Sequence, residues 1–362
     1  MSEAGRSPAS GFWGIFIMTE ALNERSRKIL EAIIEDHIAS AEPVGSRAIT
    51  RRHGIALSPA TVRNVMSDLE EMGYLVAPHT SSGRIPTEKG YRFYLDSLLQ
   101  VRALTAQQKE RIRRYYQRRG LRADELLREA GRVLSNISHY TGIVMAPQFT
   151  ASVFRHIEFV RLSHGRILVI FVSESGLVQN KIIETKEDLS PQDLEGLNNY
   201  LNQRFAGLPI GEIKQRLLQE MTQEKALYDK LFARFMGLFE AALADESREV
   251  FIEGVSRMLE QPEFSDLERM KRLFQAFEQK STLVEFLDKC QKSQGVQIFI
   301  GSETSYREIE GCSLITASYH SGDGTIGTLG VIGPTRMAYS QVIPVVDYTA
   351  QLVSQLLESE NE

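Results

Sequence analysis

The stretch that most constrains this chain is Ser58-Pro59-Ala60-Thr61-Val62, with Gly73 beyond it. Serine is a strong helix N-cap, proline suits the first helical position, and glycine suits the residue after a helix. Between them Val62, Val65, Met66 and Leu69 recur at helical spacing, so one stripe is expected to be buried. Upstream, Ile29, Leu30, Ile33, Ile34 and Ile38 form a similar stripe over Asn23 to Ala39, stopped by Pro43-Val44-Gly45-Ser46. Ser46 is expected to N-cap a short helix, Arg47 to His53, that ends at Gly54. Downstream, Tyr74 to Ala77 reads as a strand and His79 to Arg84 as a turn, and Ile85 begins the return. Pro86-Thr87 then opens a helix with the stripe Tyr91, Tyr94, Leu95 and Leu98.

The order helix, helix, turn, helix, hairpin, helix predicts a winged helix-turn-helix over residues 19–104. In such a motif the second helix of the pair enters the major groove. Rotating the helix of Pro59 by about 100° per residue, with its stripe inward, turns Asn64 outward with Ala60 and Ser67. Arg63 and Thr61 flank it. Asparagine pairs bidentately with adenine and arginine with guanine, while Thr or Ala can touch a thymine methyl. Ala60, Thr61, Arg63, Asn64 and Ser67 are therefore the candidate base contacts. Ser46, Arg47, Arg51, Arg52 and Ser58 suit backbone phosphates, which set position rather than sequence. His79, Ser81 and Arg84 are the candidate wing contacts. The competing explanation for each is a solvated, basic surface, and the hairpin and cap around them weigh against it.

Charge supports the division. Residues 19–119 carry 17 Lys and Arg against 12 Asp and Glu, whereas residues 120–362 carry 24 against 34. A basic front and an acidic remainder suit a chain of which one part meets polyanions. The net charge of -5 conceals this. Two cysteines, Cys290 and Cys312, imply no disulfide framework and suit a reducing, cytoplasmic setting. No apolar run approaches the ~20 residues of a membrane span. Residues 1–18 lack the basic region and cleavage site of a secretory signal and are expected to be a disordered extension, with Met18 a plausible start.

The remainder predicts an α+β body. Two helices are expected over 105–139, a buried strand at Thr141 to Ala146, and three antiparallel strands over 153–184. Helices follow at about 190–205, 210–221 and 224–244, then a strand at 249–253 and helices at about 266–279 and 282–291. Strands at 296–300, 312–319 and 325–332 precede a last helix at about 339–358. The segment Arg102 to Arg122 holds eight Lys and Arg with one acid, Glu110. It reads as the solvated face of a linker helix, with an auxiliary phosphate contact as the alternative. Gly327, Gly330 and Gly333 lack the Lys-Ser/Thr of a phosphate loop and fit closely packed strands better. His156-Ile157-Glu158 is not followed by Pro-Cys-x-x-Cys, so no zinc deaminase site is expected. No catalytic cluster, metal site or cofactor site is expected.

The stretches VGSRAI (44–49), LSPATVRNVMSDLEEMGYL (57–75) and PHTSSGRIPTEKGYRFYLD (78–96) resemble the heat-inducible transcription repressors of the HrcA family. QPEFSD (261–266), CSLITASY (312–319) and GTLGVIGPTRMAYSQVIPVVDYTA (327–350) fit the same pattern, and the likeness runs from about residue 20 to the end. The resemblance implies a cytoplasmic homodimer that binds an inverted-repeat operator in double-stranded DNA, represses chaperone operons and depends on the GroE chaperonin. It also implies three domains: the winged helix, a GAF-like domain formed by 105–149 and 248–362, and a dimerising domain, 150–247, inserted into it. The expected dimer contact lies in that insertion, where Leu227, Leu231, Phe232, Phe235, Leu238 and Phe239 make wide apolar faces. Two rivals stand beside this reading. One is a regulator whose GAF-like fold holds a small effector; the other is an enzyme fused to a DNA-binding head.

Overall fold

The computed structural model describes residues 22–79, 82–116, 122–147, 152–174, 176, 178–185, 189–213, 216, 238, 248–291, 295–304, 306–320 and 326–359. The extension 1–18 and most of the helix expected at 224–244 lie outside the described residues.

Helix α1, Glu24–Ser40, starts where the Asn23 side chain accepts the Ser26 N–H at 2.9 Å. Helix α2 is Ser46–Arg52, and its N-cap is Gly45, not Ser46 as the sequence suggested. Gly45 holds an extended backbone while its carbonyl accepts from Ala48 and Ile49, so Ser46 becomes the first helical residue. Helix α3, Pro59–Glu71, begins as expected, with Ser58 Oγ accepting the Thr61 N–H at 3.1 Å and Pro59 in the first position. Its four stripe residues are all buried. Strands β1, Leu75–Val76, and β2, Ile85–Pro86, pair antiparallel. Val44 bridges Arg84 and so adds a third segment to the hairpin root. Helix α4, Glu88–Ser97, is capped by the Thr87 hydroxyl on the Gly90 N–H at 3.1 Å.

Helices α5, Ala106–Tyr115, and α6, Ala123–Ser138, lead into strand β3, Thr141–Met145, every residue of which is buried. Strands β4, Phe154–Ser163, β5, Arg166–Ser173, and β6, Val178–Glu184, form a separate antiparallel sheet with helix α7, Pro191–Phe205, on one face. The chain returns through β7, Val250–Glu253, then the short helix α8, Ser256–Leu259, and helices α9, Leu267–Gln279, and α10, Ser281–Cys290. Strands β8, Val296–Ile300, β9, Cys312–His320, and β10, Ile326–Pro334, precede helix α11, Tyr339–Ser359. The large sheet has the order β7-β3-β10-β9-β8 and is antiparallel throughout.

Two features of this topology matter for function. The chain leaves the large sheet after β3 and re-enters it in β7, which pairs beside β3 with Met145 opposite Val250. Everything between them, including the three-stranded sheet, is thus an excursion from one edge of the body. That sheet has its own core, Phe154, Ile157, Phe159, Val169 and Phe171 packed on Leu194, Leu197 and Leu201. Its opposite face carries cross-strand rows such as Val160, Leu168 and Ile182. Val160, Val178 and Ile182 on that face are 39%, 41% and 48% exposed.

The glycines of β10 are packing devices. A Cβ on Gly330 would strike the Ile315 carbonyl, and one on Gly333 the Tyr140 ring.

The front unit does not hang free. One continuous core joins Ile29, Ile33, Val65 and Leu69 to Tyr339, Val342 and Val346. Tyr91 stacks obliquely on Tyr339 with ring centres 6.2 Å apart, and its hydroxyl meets His37 Nδ1 at 2.7 Å. Arg336 donates to the Ile38 carbonyl at 3.2 Å and pairs with Glu263. Arg92 pairs with Glu303 and donates to the Ile298 carbonyl at 2.8 Å, while Glu88 accepts from the Ser302 N–H.

Candidate nucleic-acid interface

The candidate interface is the outer edge of α3, with α2 and the hairpin beside it. Burial of Val62, Val65, Met66 and Leu69 fixes the rotation of α3, because a helix presents one stripe inward only. Ala60, Arg63, Asn64 and Ser67 are accordingly all exposed, together with Asp68 and Glu71. Thr61 is half-buried at the first turn, with its hydroxyl 2.9 Å from Ser58 Oγ. The base-contact candidates therefore share one side of the helix, with Thr61 tied to the cap.

The basic candidates fall into two groups. Arg47, Arg51 and Arg63 are exposed and make no ion pair among the described residues. Arg52 is exposed but donates to Asp36 Oδ2 at 3.2 Å, and His53 meets the other Asp36 oxygen at 3.0 Å. Ser46 is half-buried, and its carbonyl accepts the Thr50 hydroxyl. At the hairpin, His79 is exposed and its backbone is held by Ser82 in a tight turn. Ser81 lies outside the described residues. Arg84 is half-buried and engaged by Glu70, with Nε donating to Oε2 at 2.7 Å.

The sequence pattern did not single out Glu70, Arg92 or Arg336. Glu70 sits between Leu69 and Glu71 on the flank of α3, where a carboxylate reads as solvated. Arg92 and Arg336 find their partners 211 and 73 positions away, a distance at which no local spacing carries a signal.

Burial and Arg336 push the His37 imidazole below its usual range, with Glu263 opposing them. Burial pushes the Tyr91 phenol up. Both cysteines are free and buried. Among the described residues no group of three or more His, Cys, Asp or Glu is placed to hold a metal, and no helix is long and apolar enough to cross a membrane.

Comparison with known proteins places nearly the whole chain in one group. The family profile "HrcA protein C terminal domain" matches residues 124–343. The "Heat-inducible transcription repressor HrcA" of Geobacter sulfurreducens is 58% identical over 339 residues, covering 94% of this chain and 99% of its own. Its counterpart in Syntrophobacter fumaroxidans is 46% identical over 344 residues, covering 94% and 99% respectively. A crystal structure of a hypothetical protein superposes with a TM-score of 0.63 at 23% identity, covering 94% of this chain and 99% of its own, which establishes a shared fold. With identity this high over nearly the full length of both chains, the protein belongs to the HrcA family of heat-inducible transcription repressors, which are regulators and not enzymes.

Proposed function

We propose that this chain represses chaperone operons by binding an inverted-repeat operator as a homodimer, with α3 as the recognition helix of a winged helix-turn-helix. The observation that carries this reading is the outer edge of α3. Ala60, Arg63, Asn64 and Ser67 face outward from a helix whose opposite stripe is locked in the core. Asn64 and Arg63 supply bidentate base readout, and Ala60 and the Thr61 methyl suit thymine. Arg47 and Arg51 lie exposed beside that edge and suit phosphates, as do Ser46, Ser58 and, at the hairpin tip, His79.

In this proposal residues 19–104 form the DNA-binding domain. Residues 105–149 and 248–362 form the GAF-like body, and residues 150–247 the inserted dimerising domain. The pairing of β3 with β7 supports the insertion, since it brings the exit and return of the chain side by side. Among the described residues, the partly exposed outer face of the β4-β5-β6 sheet supports dimerisation there. Rows of Val, Leu and Ile on a solvent-facing sheet are what a second copy would cover. Dependence on the GroE chaperonin and a cytoplasmic location rest on family membership. The physical link is that a large multidomain chain populates misfolded forms that a chaperonin can return to the DNA-competent state.

The test is operator binding by the full chain and its variants, followed by fluorescence anisotropy. Asn64→Ala is expected to weaken operator binding by about 1–3 kcal/mol and relax preference at one position per half-site. Arg47→Ala is expected to weaken all duplexes alike and to lower the salt slope by about 0.9. Unchanged affinity and base preference in Asn64→Ala would refute this use of α3.

A further inference from the structure

One carboxylate ties the end of α3 to the root of the hairpin. Glu70 Oε2 accepts from Arg84 Nε at 2.7 Å, and Glu70 Oε1 accepts the backbone N–H of Ala77 at 3.2 Å. Arg84 also reaches back through Nη1 to the Ser82 carbonyl at 3.4 Å. Its main chain exchanges two hydrogen bonds with Val44, in the loop between α1 and α2, each 2.9 Å long. The approach is close enough that a Cβ on Gly83 would strike the Val44 carbonyl. Three segments, namely the end of α3, the hairpin and the α1–α2 loop, thus converge on residue 84.

Among the described residues the hairpin has two paired residues in each strand. A two-stranded hairpin is marginal in water without further support. Its angle against α3 must come from ties such as these. The Glu70 and Arg84 side chains are only 31% and 24% exposed, so the pair is partly shielded from the solvent that weakens surface ion pairs.

We infer that Glu70 and Arg84 are positioning residues that set the hairpin against the DNA-reading edge of α3, and that the Arg84 guanidinium serves Glu70 rather than a phosphate. This rests on the reading of α3 and the hairpin as the DNA-contacting elements. A guanidinium already matched to a carboxylate displaces little counterion when DNA arrives, so Arg84 contributes to specific affinity through geometry and not through charge.

The test uses the full chain, a duplex carrying the inverted repeat upstream of the organism's chaperonin genes, and a scrambled duplex of equal length, each titrated over a range of salt. Glu70→Ala and Arg84→Ala are each expected to lower affinity for the inverted repeat by about three- to tenfold, and the double variant by no more than either. In Arg84→Ala, binding to the scrambled duplex and the salt slope are expected to stay at wild-type values, whereas Glu70→Ala frees the guanidinium and is expected to raise both slightly. Glu70→Gln keeps an oxygen for the Ala77 N–H and is expected to lose less, so the comparison survives if an alanine variant folds poorly. A fall of about 0.9 in the salt slope of Arg84→Ala, with equal weakening on both duplexes, would make Arg84 a phosphate contact and overturn the inference. So would unchanged or tighter operator binding in Glu70→Ala. Failure of the wild-type chain to prefer the inverted repeat would instead overturn the underlying DNA reading.

Discussion

Arg336, at the start of the turn into α11, donates through Nη1 to the carbonyl of Ile38 at 3.2 Å, so a residue late in the chain completes the end of its first helix. The last carbonyls of a helix have no partner within it, and a guanidinium there satisfies one and opposes the helix dipole. Arg336 is also bonded to Glu263 and to Gln261 Oε1, the latter at 3.1 Å. With its side chain 12% exposed, Arg336 is a largely shielded tie between the front unit and the body.

Arg336→Ala is therefore expected to destabilise the whole chain by about 1–3 kcal/mol, because it strands the Ile38 carbonyl and the Glu263 carboxylate. Urea denaturation measures the loss. Since α1 and α11 share one core, the variant is also expected to expose the segment 98–105 to limited proteolysis sooner than the wild type. Wild-type stability together with wild-type cleavage would show that Arg336 does not join the two parts.

A pH dependence follows from the same junction. His37 is held below its usual pKa, chiefly by burial and then by Arg336. The unfolded chain consequently binds a proton at this residue more readily than the folded one does, and stability rises with pH where the two differ. The contribution is fully present above the ordinary histidine pKa and is lost as pH falls toward the lower folded value. Between about pH 7 and pH 5 the wild type is expected to lose more stability than His37→Gln. Equal losses in the two proteins would remove His37 from the account. The groups facing it are Tyr91, Arg336 and Glu263.

The outer face of the three-stranded sheet carries the dimer proposal. Ile182 lies there in a cross-strand row with Leu168 and Val160, on the side away from α7. Ile182→Lys places a charge on an exposed position, so the fold is expected to survive and a dimer covering this face is not. Sedimentation is expected to give a monomer, and operator affinity to fall by about 10²–10⁴ as the second half-site contact ceases to be intramolecular. A persistent dimer would move the interface to residues 210–247 or to the body.

Chaperonin dependence is expected to change how much protein is active and not how tightly each active dimer binds. Added GroE should raise the DNA-competent fraction, titrated at saturating operator, without entering the final complex. An unchanged fraction would remove the chaperonin from the account.

Much of this architecture was legible in the sequence because its signals are local. Ser58 and Pro59 announce α3, the stripe at 62, 65, 66 and 69 sets its rotation, and the buried run at 141–145 marks an inner strand of the body's sheet. The Ser46 cap was misplaced by one residue because Gly45 can hold the same extended backbone without a side-chain bond. The four-residue helix α8 has too few turns to show a period. The ties that orient the front unit were not legible at all. Arg84 and Glu70 are 14 positions apart, and Arg92 and Glu303 are 211 apart. In sequence each of these arginines is one more basic residue in a basic region, and Arg84, at the base of a small polar hairpin tip, reads as a wing contact. Only packing reveals that a carboxylate already holds it.

The most direct measurement of the central claim is a footprint of the purified protein on the DNA upstream of the organism's chaperonin genes. The expected result is protection of two half-sites related by a two-fold axis, with centres about one helical turn or a multiple of it apart. The Asn64→Ala variant should lose that pattern at concentrations where the wild type shows it. Protection of a single asymmetric site, or the same two-fold footprint with Asn64→Ala at equal concentration, would contradict the account.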